Sequence, residues 1–182
     1  WRVAAAMPDD FGNKSGLESL GPLAWQAPDA LPFELASDAG VKMSLESFSG
    51  RPVLLIFYLG HGCKHCVEQL NAFAPVAGEF EEAGIPIVAI APEQGLELAK
   101  AHSLCEGEAT HFPFPLLADP AMESFRRYGA YDDFEEMPLH GTFLISPAGK
   151  VLWQDIGADP FMEAEFLLDE AKRQLSREGE TR

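Results

Sequence analysis

Residues 53–66 of the chain read VLLIFYLGHGCKHC, and the order of these residue types decides the fold. The first six residues are all apolar or aromatic, which is the pattern of a strand that is buried on both faces. Gly60 and Gly62 then interrupt the pattern, and Cys63 and Cys66 stand at the start of a helical periodicity. The segment therefore predicts a buried strand that delivers two cysteines to the N-terminus of a helix.

Two thiols at this spacing on a helix N-terminus can form a disulfide without unfolding the chain. The helix dipole and the unpaired N–H groups there favour the thiolate, which is the reactive form of cysteine. Lys64, and His65 when it is protonated, add positive charge, so we expect the pKa of the Cys63 thiol to lie below its ordinary value of roughly 8.5. In disulfide exchange Cys63 would be the nucleophile and Cys66 the buried resolving thiol.

The composition sets limits on the class of protein. The chain has 182 residues, of which 47% are hydrophobic, so one domain with a full core is expected. Its net charge of −16 argues against nucleic acid and anionic membranes as partners, since both require a basic surface. No apolar run approaches the ~20 residues of a membrane span. We expect a soluble protein, and bacterial cytoplasm and periplasm are both compatible with the sequence.

The pattern along the chain predicts an extension over residues 1–24 and a single domain over residues 25–182. Cys105 is left over from the pair and is interpreted as a small apolar filler or as a third redox thiol. The acidic residues 131–136 are interpreted as a solvated loop. Strands are expected at 31–36, 40–44, 53–58, 85–91, 114–117, 142–146 and 150–153, and helices at 67–80 (interrupted at Pro75), 92–104, 118–128 and 160–177.

Several short motifs occur in an order that resembles a known family. They are Ala27-Pro28, Gly50-Arg51-Pro52-Val53, Phe57-Tyr58, Cys63-x-x-Cys66, the run 114–119 (FPLLAD) and the run 141–151 (GTFLISPAGKV). Together they resemble the alkyl-hydroperoxide-reductase/thiol-specific-antioxidant (AhpC/TSA) family, the peroxiredoxin-like redoxins of the thioredoxin superfamily. The resemblance implies an α/β thioredoxin-like fold, a mixed central sheet flanked by helices, with an N-terminal β-hairpin as in peroxiredoxins.

The resemblance also assigns positions within the site. Cys66 takes the place of the family's peroxidatic cysteine, and Cys63 takes the place of a threonine. The family's proline and arginine, which help to bind peroxide, correspond to Leu59 and His140. Relatives that exchange disulfides fit better, because they carry a cysteine where peroxidases have threonine. His140 is expected near the cysteines, as a base or as a stabiliser of the thiolate.

These observations predict a thiol–disulfide oxidoreductase with a role in antioxidant defence or redox homeostasis. The expected catalytic residues are Cys63, Cys66, His140, His65 and Lys64, with no organic cofactor or obligatory metal. A protein disulfide or a small thiol is the expected substrate, and an external thiol is the expected electron donor.

Other interpretations of the cysteine pair stay open. The first is a thiol-dependent peroxidase, with Cys66 attacking peroxide and Cys63 resolving. Another is a copper-binding module that uses both cysteines and a histidine, either His140 or His61 or His65 in the loop. A vestigial pair is a further interpretation, as are inert thiols or a structural metal site.

Overall fold

The computed structural model describes residues 27–107 and 110–180, in which a seven-stranded sheet is covered by helices on both faces. The strands are β1 (Glu34–Ser37), β2 (Lys42–Ser44), β3 (Val53–Phe57), β4 (Ile87–Ala91), β5 (Leu116–Ala118), β6 (Tyr131–Asp132), β7 (Met137–Pro138), β8 (His140–Ile145) and β9 (Val151–Gly157). The α-helices are α1 (Lys64–Phe73), α2 (Ala77–Glu82), α3 (Gly95–Lys100), α4 (Glu123–Arg127) and α5 (Ala164–Glu180), and two short 3-10 helices are formed by Leu45–Phe48 and Ala101–Leu104.

The large sheet is mixed, with the strand order β2-β1-β5-β4-β3-β8-β9. β3 pairs in parallel with β4, and β4 pairs in parallel with β5, whereas β8, β9 and the β1–β2 hairpin are antiparallel to their neighbours. The small strands β6 and β7 form a separate antiparallel pair. The prediction of a mixed central sheet with an N-terminal hairpin is confirmed.

β3 is buried along its whole length, as its apolar run predicts. Its alternate side chains enter two separate clusters, since successive residues of a strand point to opposite faces. Leu54 and Ile56 pack with residues of α1 and α5, whereas Leu55 and Phe57 pack with α4 and β8. The sheet is therefore the middle layer of the domain, with a hydrophobic core on each side.

The helix after the cysteines is divided near Pro75, as predicted, because proline removes a backbone donor from a helix interior. The expected helix over 92–104 is shorter: α3 begins at Gly95, and the chain then tightens into a 3-10 turn. The expected start of the last helix at Pro160 is wrong. The Phe161 carbonyl accepts a hydrogen bond from Gln69 of α1, and the helix begins only at Ala164.

The acidic segment 131–136 is more ordered than the predicted loop. Its first two residues form β6, which pairs with β7 directly after the segment. Asp132 accepts hydrogen bonds from the N–H groups of Phe134 and Glu135. The Phe134 side chain at the tip is exposed.

The register of the sheet determines where the functional residues lie. β8 runs antiparallel to β3, with Gly141 opposite Phe57, so β8 begins where β3 ends. His140 is the first residue of β8, and the two cysteines follow β3 by a short loop. Strand pairing therefore brings His140 to the same edge of the sheet as Cys63 and Cys66.

Within the described residues, none of the helices combines the length and apolar character that crossing a bilayer requires. The predicted extension over residues 1–24 lies outside the described residues, and the division of the chain at residue 25 stays a prediction.

Candidate redox-active site

Cys63 and Cys66 stand at the first turn of α1 and are joined as a disulfide. Their Cα atoms are 5.3 Å apart, which is an ordinary separation for a disulfide. Cys63 has an extended backbone and caps the helix, because its Sγ accepts a hydrogen bond from the N–H of Cys66 at 3.3 Å. Cys63 is partly exposed and Cys66 is fully buried, so an incoming molecule meets the sulfur of Cys63 first.

His140 lies directly against the pair. Its Nε2 is 3.1 Å from the Sγ of Cys66 and 3.9 Å from the Sγ of Cys63. Its Nδ1 is 2.8 Å from the carbonyl oxygen of Ala158, so Nδ1 carries the proton that this hydrogen bond requires. In the neutral ring Nε2 is then the unprotonated nitrogen, and it faces the sulfur atoms.

Burial lowers the pKa of His140, and the carbonyl of Ala158 and the charge of Asp159 oppose that effect only in part. Positive charge on His65 lowers the pKa of His140 further. The neutral ring is therefore favoured over a wider pH range than in a solvated histidine. A neutral imidazole whose acceptor nitrogen faces a cysteine can take the proton of that thiol.

The sulfur of Cys66 has a second polar neighbour in the backbone. The N–H of Leu59 donates a hydrogen bond to the Sγ of Cys66 at 3.2 Å. A donor at this distance stabilises negative charge on a reduced Cys66. The N–H of Leu59 and the imidazole of His140 thus converge on the buried sulfur.

Lys64 and His65 lie on the outer side of the first helical turn. The Nζ of Lys64 is 3.4 Å from one carboxylate oxygen of Glu68, and the Nδ1 of His65 is 3.2 Å from the other. Both side chains are exposed, and Glu68 offsets part of their charge. Of the five expected site residues, the structure brings together Cys63, Cys66 and His140.

The other histidine of the loop, His61, is held elsewhere. Its Nδ1 lies 2.6 Å from Glu93, and its Nε2 lies 3.5 Å from Glu97. Cys105 is a partly buried free thiol that packs against the core cluster around α1. Neither residue joins the site formed by the cysteine pair.

Three ligand atoms of the site could hold a metal ion once the disulfide is reduced. The sulfur atoms of Cys63 and Cys66 and a ring nitrogen of His140 all lie within 4.8 Å of one another. Thiolates with an imidazole suit copper or zinc, and a closed zinc site takes four ligands. The described residues therefore supply a set one ligand short of a closed zinc site.

Sequence reasoning missed three participants in the geometry: the N–H of Leu59, the carbonyl of Ala158 and the carboxylate of Glu93. The first two are backbone groups, so the identity of the side chain at these positions does not indicate their presence in the site. Glu93 had a signal, since it follows β4 and the carboxyl ends of parallel β3 and β4 meet at one edge of the sheet.

Comparison with known proteins gives consistent results. The AhpC/TSA family model matches residues 25–154. The chain is 30% identical to peroxiredoxin Q of Sedum lineare over 124 residues, which are 66% of this chain and 62% of the relative. It is also 28% identical to the thiol-disulfide oxidoreductase ResA of Bacillus subtilis over 138 residues, which are 76% of this chain and 69% of the relative.

Among solved structures, the crystal structure of peroxidoxin BcpB from Mycobacterium tuberculosis superposes with a TM-score of 0.68 at 25% identity. The match covers 83% of this chain and 96% of that structure. The thioredoxin-like fold expected from the sequence is thereby confirmed.

Proposed function

The chain belongs to the AhpC/TSA family and is an oxidoreductase, and from this premise we propose that it is a thiol–disulfide oxidoreductase working through Cys63 and Cys66. Its substrate is a disulfide in a protein or a small molecule, and an external thiol returns the pair to the reduced state. The activity belongs to antioxidant defence or redox homeostasis.

The observation that carries this proposal is the contact between the Nε2 of His140 and the Sγ of Cys66 at 3.1 Å. A buried resolving thiol must lose its proton before it can attack, and a neutral imidazole at this distance can accept the proton. The Nδ1 contact with Ala158 keeps the ring in the tautomer that presents an acceptor to the sulfur.

The reaction has two steps, and both are balanced. The Cys63 thiolate attacks a substrate disulfide, which forms a mixed disulfide and releases one substrate thiolate. Cys66 then passes its proton to His140 and attacks the sulfur of Cys63, which forms the Cys63–Cys66 disulfide and releases the second substrate thiolate. Two electrons pass from the pair to the substrate.

Trapping of the mixed disulfide tests this order. We expect Cys66→Ser, reacted with oxidised glutathione, to accumulate a stable adduct on Cys63 that mass spectrometry detects. Cys63→Ser serves as the matched control and should form far less adduct, because its remaining pair thiol is buried. The opposite result would reverse the roles: a stable adduct on Cys66 in the Cys63→Ser variant, and no adduct on Cys63 in the Cys66→Ser variant.

Replacement of His140 tests the base. We expect His140→Ala to slow formation of the Cys63–Cys66 disulfide by about 10²-fold, the lower range of a general base. The initial attack by Cys63 should change far less, since Nε2 lies 3.9 Å from that sulfur. Equal slowing of both steps would contradict the assignment of His140 to Cys66.

A second candidate function is peroxide reduction through Cys66. Two observations favour it: a backbone N–H and an imidazole converge on the Cys66 sulfur, and the chain is similar to peroxiredoxin Q. Cys66 would attack the O–O bond and become a sulfenic acid, with loss of water or an alcohol. Cys63 would then condense with the sulfenic acid to give the disulfide and one water molecule.

Stopped-flow fluorescence with hydrogen peroxide separates the two functions. A peroxidase would be oxidised orders of magnitude faster than a free thiol, and Cys66→Ser alone would lose the fast reaction. For the exchange function we expect slow oxidation in wild type, Cys63→Ser and Cys66→Ser alike.

Copper binding is a third candidate, favoured by the grouping of Cys63, Cys66 and His140. Titration of the reduced protein with Cu(I) under anaerobic conditions tests it, with His140→Ala as the control. Stoichiometric binding that weakens in His140→Ala would support a copper site. No uptake in competition with a Cu(I) chelator would exclude it.

A further inference from the structure

The loop between β3 and α1 is anchored on both sides of Leu59. On the sheet side, the N–H of Tyr58 donates to the carbonyl of Ile90 at 2.9 Å. On the helix side, the N–H of His61 donates to the carboxylate of Glu93, with both oxygens at 3.0 Å. Only Leu59 and Gly60 lie between these anchors, and the N–H of Leu59 is the group that reaches the sulfur of Cys66.

Glu93 contacts this loop in three ways. The first is the hydrogen bond from the N–H of His61. The second is to the ring of His61, whose Nδ1 lies 2.6 Å from the Oε1 of Glu93. Its carboxylate also lies against the backbone of Gly60, where a Cβ atom would be 2.5 Å from Oε1. Gly60 has a φ of +108°, a conformation that favours glycine, and a Cβ atom there would press against the Glu93 carboxylate.

The partly buried position of Glu93 fits a positioning role. Its side chain is 17% exposed, whereas that of Glu97, which faces the same imidazole, is 54% exposed. A carboxylate withdrawn from water needs hydrogen-bond donors, and the loop provides them. The N–H of His61 is a donor whose direction is set by the loop backbone, so the contact constrains the backbone itself.

We propose that Glu93 is a positioning residue for the resolving cysteine: it holds residues 60 and 61 so that the N–H of Leu59 points at the Sγ of Cys66. The inference rests on the proposed exchange function and adds to it a residue that acts through the loop backbone.

The expected effect is confined to the second step of the reaction. A hydrogen bond to a thiolate is charge-assisted and stronger than one to a disulfide sulfur, so a fixed Leu59 N–H favours the thiolate of Cys66. When the loop relaxes, that hydrogen bond weakens and the thiolate of Cys66 is stabilised less. We expect Glu93→Ala to slow attack by Cys66 about three- to tenfold, which corresponds to partial loss of one charge-assisted hydrogen bond.

The test is stopped-flow reaction of the reduced protein with one equivalent of dithiodipyridine, in a Cys105→Ser background that removes the third thiol. Attack by Cys63 releases the first thiopyridone, and attack by Cys66 releases the second. Glu93→Ala should leave the first phase unchanged and slow the second. Its second phase should also shift to higher pH, which general destabilisation of the fold does not produce.

Two variants complete the design. Glu97→Ala is the matched control, because Glu97 contacts the ring of His61 rather than the loop backbone and otherwise pairs with Lys100 of its own helix. Both phases of this variant should keep wild-type rates. Glu93→Gln keeps one acceptor oxygen and should restore part of the second-phase rate. Because it is nearly isosteric, it also serves as the test if Glu93→Ala does not fold.

The outcomes separate the two proposals. Two phases in the wild type, both insensitive to Glu93→Ala and Glu93→Gln, would overturn the role of Glu93 and leave the exchange function standing. Equal slowing of both phases would also overturn it. Absence of a second phase in the wild type would reject the exchange function together with this inference.

Discussion

The protonation state and the tautomer of His140 depend on the residues around it. The carbonyl of Ala158 holds the proton on Nδ1, and burial disfavours the charged ring. The remaining nitrogen therefore faces Cys66 as an acceptor. The same arrangement affects stability, because a buried neutral histidine resists protonation while the histidine of the unfolded chain does not.

The pH dependence of unfolding tests this property. The folded pKa of His140 is lowered, so below the ordinary histidine value of about 6.5 the unfolded chain binds more protons and stability falls. The contribution is complete above that value and is lost as the pH drops towards the lowered pKa. In urea unfolding of the oxidised protein, wild type should lose more stability than His140→Gln between about pH 7.5 and about pH 5. Parallel losses in both proteins would contradict a lowered pKa.

At the scale of elements, the short helix α4 depends on a residue outside it. Asp119 follows β5 and is almost fully buried, and its carboxylate accepts hydrogen bonds from the N–H groups of Glu123, Ser124 and Phe125. These donors have no partner within the helix, so Asp119 satisfies the start of α4. The helix in turn holds the ring of Phe125 5.0 Å from the ring of Phe57, at the end of β3.

Substitution of Asp119 should therefore weaken the fold more than the reaction. We expect Asp119→Ala to lower the free energy of unfolding by about 2 kcal/mol, since a buried cap and its charge-assisted hydrogen bonds are lost together. Asp132→Ala is the control: it removes an aspartate that accepts from two N–H groups in an exposed turn, and it should cost less. Chemical denaturation measures both. A larger loss in Asp132→Ala would contradict the capping role of Asp119.

At the scale of the whole molecule, the protein has a net charge of −16. The first turn of α1, beside the cysteine pair, nevertheless carries the basic residues Lys64 and His65. A field from the whole surface steers charged molecules before they dock, and salt screens it. Glu68 offsets part of the local positive charge, since it pairs with both residues. The global charge is therefore expected to dominate the approach of small disulfides.

Exchange with small disulfides of different charge measures this balance. Each rate constant is first divided by the rate constant of a small free thiol with the same disulfide. At low salt the reduced protein should then react faster with cystamine, a dication, than with dithiodiglycolate, a dianion. The ratio should fall towards one as salt is raised, because the Debye length shrinks to about 3 Å at 1 M. Neutral hydroxyethyl disulfide should show little salt dependence. A faster reaction with the dianion would mean that the local charge of Lys64 and His65 dominates.

Features that depend on residues close together in the chain could be predicted from the sequence. The buried strand 53–57, the division of the helix near Pro75 and the cysteine pair on a helix N-terminus all follow from periodicity and from neighbouring residue types. The proximity of His140 was expected only through the resemblance to a family, because nothing in its local sequence points to a cysteine.

The atoms that meet at the site come from residues that are distant in the chain. Cys66 and His140 are 74 residues apart, and their contact depends on the pairing and register of β3 and β8. His61 and Glu93 are 32 residues apart, and they meet because β3 and β4 are parallel and end at one edge of the sheet. The cysteine pair and the strand that precedes it could be recognised from residue types and their spacing alone. The positions of the His140 imidazole, the Leu59 N–H and the Glu93 carboxylate come from strand register and backbone direction, which residue types alone do not specify.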